Sequence, residues 1–144
     1  MNQQFEIILV EDNQSDAELA IRALKKGKIV GSLLHLQNGE EALEYIFATG
    51  KYAGRNVGDI PKVMLLDLKM PKVNGIEVLK RIKSDERTKT IPVVLLTSSK
   101  EDKDIAEGYK EGANSYIVKP VGFENFLKAV VDIGLYWLMV NQPR

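Results

Sequence analysis

Four short apolar runs, each ending abruptly in a polar group, constrain this chain more than any other feature. Ile7-Ile8-Leu9-Val10 runs into Glu11-Asp12, Val63-Met64-Leu65-Leu66 into Asp67, Val93-Val94-Leu95-Leu96 into Thr97, and Tyr116-Ile117-Val118 into Lys119. Apolar runs without polar alternation predict strands buried on both faces, as in a parallel sheet covered by helices. Such a sheet presents its ligand-binding groups just beyond the carboxyl ends of its strands, which is where Asp67 falls. One aspartate there is as readily a helix cap. Five groups delivered by the same device are not explained by capping.

Helix signals fill the gaps between the runs. Ser15-Asp16-Ala17-Glu18 has capping-box spacing, and Ala17, Ala20, Ile21 and Leu24 follow at helical intervals before Gly27. Leu33 to Leu36 reads as a further short strand, and Asn38-Gly39-Glu40-Glu41 opens a second helix through Ala42, Leu43, Ile46 and Phe47. Asn74-Gly75 opens a third, with Val78, Leu79 and Ile82 inward; Ser99-Lys100-Glu101-Asp102 opens a fourth, carrying Ile105, Ala106 and Tyr109; Phe123 begins the fifth. The order βαβαβαβαβα calls for an α/β open sandwich, a five-stranded parallel sheet between two helical layers. Residues 1–144 read as one domain, with 132–144 as a helical extension of it. Only Ala48 to Pro61, with three glycines, breaks the rhythm, and it reads as a surface insertion.

Composition removes several function classes. Lys plus Arg and Asp plus Glu number 20 each among the 144 residues, so no net field recruits nucleic acid or an anionic membrane. Cysteine is absent, which excludes disulfides, zinc ribbons and thiol catalysis and is compatible with the cytoplasm, the expected location. The amino terminus lacks a secretory pattern, and the apolar segment Ile133 to Val140 is far short of the ~20 residues a membrane span needs. His35 is the lone histidine and is expected to be structural rather than a metal ligand.

Glu11, Asp12 and Asp67 grouped within a few ångströms would repel one another at neutral pH, so their arrangement asks for a cation. Oxygen ligands without His or Cys select a hard divalent ion, and Mg²⁺ accepts a few carboxylates while keeping several waters. Lys119 adds an ammonium opposite the acids and Thr97 a hydroxyl. These are the parts needed to stabilise a phosphoryl group as it moves onto a carboxylate, with Asp67 as the nucleophile.

On these residues the chain resembles a receiver domain of the two-component response regulators, from Ile7 to about Val131. Glu11-Asp12, Asp67-Leu68-Lys69-Met70-Pro71 followed by Gly75, Thr97, and Lys119-Pro120 all occur in order at the expected strand ends. The resemblance implies a flavodoxin-like fold with strand order 2-1-3-4-5 and a cytoplasmic phosphoacceptor rather than a classical enzyme. It implies that a sensor histidine kinase phosphorylates Asp67, and that Asp12, Asp67 and the backbone carbonyl of Lys69 hold Mg²⁺, with Glu11 acting through water. It makes Thr97 the residue that swings toward the phosphoryl group, contacted also by Lys119, and Tyr116 the aromatic that rotates inward behind it. By spacing alone, Tyr116 is equally an ordinary strand aromatic. The chain departs from the commonest pattern in Glu11, which replaces an aspartate, in Lys69, which bears on acyl-phosphate lifetime, and in the 48–61 excursion. Long connections of that kind resemble the small receivers associated with phytochrome-like kinases.

The last helix supplies an expected output surface. Phe123, Phe126, Leu127, Val130 and Val131 form a stripe expected to cover the sheet. Ala129, Ile133, Tyr136 and Val140 form a second, expected to pair two copies as a homodimer, the alternative being a tail folded back on its own domain. Three other readings compete for the whole chain. A flavodoxin-like electron carrier would need a phosphate-cradling first turn where Glu11-Asp12 stands, and an aspartyl-phosphate hydrolase would need an acid where Lys69 stands. A non-phosphorylated pseudo-receiver would not need the intact acids, Thr97 and Lys119.

Overall fold

The computed structural model describes residues 5–26, 32–70, 73–98, 102–119 and 121–132. The chain alternates strands and helices: β1 (Ile7–Val10), α1 (Gln14–Lys26), β2 (Leu33–Leu36), α2 (Gly39–Ile46), β3 (Val63–Asp67), α3 (Gly75–Lys83), β4 (Val93–Thr97), α4 (Asp102–Lys110), β5 (Ser115–Val118) and α5 (Phe123–Asp132), with a short 3₁₀ turn at Gly50–Tyr52. All pairings are parallel and the strand order is β2-β1-β3-β4-β5, the order that the resemblance implies.

Residue alternation along the strands divides the core in two. Ile8, Val10, Met64, Leu66, Val93 and Leu95 face the layer of α2 and α3, where Val78, Leu79 and Ile82 are fully buried. Ile7, Leu9, Val63, Leu65, Val94, Leu96 and Ile117 face α1 and α5, meeting Ala17, Ala20, Leu24, Phe126 and Ala129. Both sides of every central strand are therefore dry, which is why those runs lack polar alternation. Each fully buried aliphatic side chain contributes about 1.5–3 kcal/mol, and together they hold the strand ends in fixed register.

Asparagine starts three of the helices. Asn38 Oδ1 accepts from the Glu41 N–H at 2.9 Å while Glu41 Oε1 accepts from the Gln37 N–H at 2.8 Å, closing a reciprocal cap, and Asn74 Oδ1 accepts from the Glu77 N–H at 3.0 Å. The first helix departs from the Ser15 cap expected. It begins at Gln14, and Asn13 caps it by accepting from the Asp16 N–H at 2.9 Å. Ser15 and Asn13 are both good caps, and Asn13 prevails because the chain turns directly out of β1.

Two further expectations are corrected. Ala129, assigned to an outward dimer stripe, is 2% exposed and packs in the α1–α5 core, whereas Val131, assigned to the core, is 52% exposed. The buried face of α5 runs through Phe126 and Ala129, three residues apart, and Val131 falls off it. On α4, Ala106 and Tyr109 are exposed and Gly108 faces the sheet, where an added Cβ would lie 2.2 Å from Leu95 Cδ1. Ile133, Tyr136 and Val140 of the expected stripe, and Ser99 at the expected start of α4, lie outside the described residues.

The 48–61 excursion is anchored rather than merely laid on the surface. Tyr52 and Ile60 pack against the core, and the Tyr52 ring meets buried Tyr45 edge-on at 5.1 Å. Arg55 lies 3.9 Å over the Tyr45 ring and donates to the carbonyls of Tyr45 and Asp59.

Gly75 sits at the first turn of α3 so close to β3 that an added Cβ would stand 2.3 Å from the Asp67 carbonyl oxygen. Gly75→Ala should therefore push α3 off the site strand and cost about 1–3 kcal/mol, read as a lowered urea midpoint at unchanged slope.

Candidate functional site

The register explains which groups meet. Leu9 pairs with Leu65, and Leu96 with Ile117, so Glu11, Asp67 and Lys119, each two residues beyond a paired residue, leave the sheet on the side of α1 and α5. Thr97 and Tyr116 have the opposite parity and belong to the side of α4. Backbone bonds tie the two sets together, because the Lys119 N–H donates to the Thr97 carbonyl at 2.8 Å and the Leu68 N–H to the Leu96 carbonyl at 3.1 Å.

Lys119 is the hub. Its Nζ lies 2.8 Å from Glu11 Oε1, 3.2 Å from Asp16 Oδ2 and 3.3 Å from Asp67 Oδ2. Glu11 and Asp67 are buried, while Asp12 is exposed at the rim. One carboxylate oxygen from each of these three acids lies within 4.8 Å of the others. Asp67 Oδ1 also accepts from the Lys69 N–H at 3.2 Å, and the Lys69 side chain is exposed. Glu11 Oε2 accepts from the Asn13 N–H at 3.1 Å. Its Oε1 faces Lys119 by charge but, among the described residues, has no aligned hydrogen bond.

Charge in this pocket is unbalanced, and the ionisation shows it. Burial, and then the adjacent Glu11 carboxylate, push the Asp67 carboxyl from 3.8 up to about 7 against the opposing pull of Lys119 and the Lys69 N–H. Burial works to lower the Lys119 pKa, but Glu11, Asp67 and Asp16 outweigh it and hold the ammonium above lysine's ordinary range. A divalent cation fits the donor set: oxygen ligands alone, two of the three buried, with a buried Glu11 oxygen that lacks an aligned donor.

The two residues expected to form a switch, Thr97 and Tyr116, are placed differently. Thr97 is buried at the end of β4, next in sequence to Leu96, the residue paired with Asp67. Tyr116 is 39% exposed, its ring edge-on to that of exposed Tyr109 at 6.2 Å, so it points away from the site. Pro71 and Pro120 of the site motifs lie outside the described residues. The sequence does not reveal the site contacts of two residues, His35 and Asp16. His35 Nε2 lies 2.8 Å from the Glu11 carbonyl oxygen, which can only accept, so Nε2 carries the proton and fixes the peptide that bears Glu11. Asp16 lies inside the stretch that reads as a capping box, and no local signal marks its reach to Lys119.

A 2-1-3-4-5 parallel sheet with these groups at its strand ends defines a receiver. Residues 7–131 match the response regulator receiver domain family, and the chain belongs to it. Receivers are signalling modules that histidine kinases phosphorylate, not classical enzymes, and their acidic pocket binds Mg²⁺. The chain is 42% identical over 138 residues to the probable methanogenesis regulatory protein FilR2 of Methanothrix harundinacea, covering 96% of this chain and 86% of that protein. Among solved structures it resembles the bacteriophytochrome response regulator RtBRR, with TM-score 0.87 and 42% identity over 99% of this chain and 85% of that one. It also resembles the Mn²⁺-bound form of response regulator Rcp1, with TM-score 0.75 and 35% identity over 96% and 98% of the two chains.

The raised Asp67 pKa has a signed consequence. Between about 4 and about 7 the folded chain holds a proton that the unfolded chain has lost, so stability without divalent metal should fall as pH rises through that window and level off above it. Asp67→Asn should flatten this dependence and exceed wild type by about 1–3 kcal/mol on the alkaline side, as measured by metal-free urea titrations across the window.

Proposed function

We propose that this chain is a cytoplasmic response regulator that takes a phosphoryl group onto Asp67 from a phytochrome-like sensor histidine kinase. The observation that carries the reading is the convergence of Glu11, Asp67 and Lys119 within 3.3 Å contacts at the ends of three strands, with Asp12 at their rim. The kinase class rests on the likeness to RtBRR. An Asp67 carboxylate oxygen attacks phosphorus, forming the acyl phosphate as the bond to the donor imidazole nitrogen breaks and that nitrogen keeps the electron pair. Glu11, Asp12, Asp67 and the Lys69 carbonyl would hold Mg²⁺, which when bound offsets charge on the phosphoryl oxygens. The Mn²⁺ bound to Rcp1 supports a divalent ion in this role.

Lys119 and Thr97 then bind the phosphoryl oxygens, and Thr97 leaves the room into which Tyr116 turns. Reversing a 1:99 population takes ~5.5 kcal/mol, which several charge-assisted bonds can supply and a single hydroxyl cannot. Slow autodephosphorylation ends the signal.

Incubation with acetyl phosphate and Mg²⁺ should add one base-labile phosphoryl group by mass spectrometry. Asp67→Asn should abolish it, and Lys119→Ala should uncouple labelling from the amide shifts of α4 and β5 more completely than Thr97→Ser. Phosphate recovered on serine or threonine would sink the reading.

We further propose a homodimer through the end of the last helix, supported by exposed Val131 and by the apolar spacing of Ile133, Tyr136 and Val140. Ile133→Asp combined with Tyr136→Lys should yield a monomer by light scattering that still labels at Asp67. A wild type that stays monomeric at high micromolar concentration, with or without phosphoryl groups, contradicts the dimer.

A further inference from the structure

Among the described residues, Asp16 is the one acid at the site that no strand end supplies and that the phosphoryl chemistry does not use. It stands in the first turn of α1, where exposed backbone N–H groups favour any carboxylate. That placement alone would leave it a surface acid. Its Oδ2 instead lies 3.2 Å from Lys119 Nζ, hydrogen-bonded across 103 residues of sequence. The meeting follows from the sheet: Lys119 shares the parity of Ile117, whose face α1 covers.

An ammonium has three N–H groups, and three carboxylates already surround this one. A phosphoryl group arriving on Asp67 brings further oxygens that compete with these partners for the ammonium. The partner that yields is the one least harmed by separation. Glu11 is 1% exposed, so water cannot replace its ion pair. The Asp16 side chain is 31% exposed and regains water once Lys119 leaves. Asp67 itself becomes the phosphorylated group.

We propose that Asp16 is a positioning residue that holds Lys119 against α1 in the unphosphorylated state and releases it to the phosphoryl group, so that the first turn of α1 senses the state of Asp67. This rests on the phosphoacceptor reading. The contact stabilises only the unphosphorylated form, so it opposes phosphoryl occupancy. Removing it favours the phosphorylated form by the worth of a partly exposed ion pair, about two- to fivefold in affinity.

Calorimetric binding of beryllium trifluoride, a phosphoryl mimic, to the full chain in saturating Mg²⁺ tests this. Asp16→Asn and Asp16→Ala should each bind the mimic about two- to fivefold more tightly than wild type. Asp16→Glu should restore the wild-type value, and Glu18→Gln on the same helix should leave it unchanged. A merely structural acid would move the urea midpoint and not the mimic affinity. Neutral variants that bind the mimic as wild type does, or more weakly, overturn the role assigned to Asp16. A wild type that binds no mimic overturns the phosphoacceptor reading itself, and the Asp16 proposal with it.

Discussion

One ammonium set among too many carboxylates is the interaction on which the site depends. Lys119 neutralises one unit of charge while Glu11, Asp67 and Asp16 crowd it and Asp12 stands at the rim. The imbalance persists because the strand ends cannot move apart. Both faces of the sheet are sealed by helices, and Gly75 lets α3 press against the backbone of Asp67. The rigid core thus holds the repulsion in place. On the proposed function, a cation or a phosphoryl group with its cation would relieve it, so the crowded resting site and the signalling chemistry would share one physical origin.

The same sheet separates chemistry from output. Glu11, Asp67 and Lys119 leave on the face of α1 and α5, while Thr97 and Tyr116 leave on the face of α4. On the proposed function, a phosphoryl group on Asp67 would act at the end of the sheet, where both sets of side chains begin. The Lys119 N–H bonded to the Thr97 carbonyl joins them through the backbone. Tyr116 and Tyr109 already stand exposed and in contact, so a rotation of Tyr116 would alter a surface at once.

Strands and strand ends were legible because a doubly covered parallel strand must be apolar throughout and must end where its polar ligands begin. The starts of α2 and α3 were legible because Asn38 and Asn74 stand alone as caps. Ser15 misled because Asn13 competes with it at the same turn. The phase of α5 was misread because Ala129, counted into the outward stripe with Ile133, packs in the core with Phe126, while Val131, counted into the core stripe, lies off that face. Gly108 carried no pattern at all, since its role is to be small beside Leu95. Tertiary meetings such as Asp16 with Lys119, His35 with the Glu11 carbonyl and Arg55 on Tyr45 depend on how elements stack, which periodicity does not encode.

The central claim is that Asp67 is held against its own ionisation until a cation arrives. Carbon-detected NMR of the Asp67 carboxyl through a pH titration, first free of divalent metal and then with Mg²⁺, tests it most directly. The account predicts a metal-free midpoint near about 7, pulled clearly downward by Mg²⁺. A metal-free midpoint in the ordinary range near 3.8, unmoved by Mg²⁺, would contradict it.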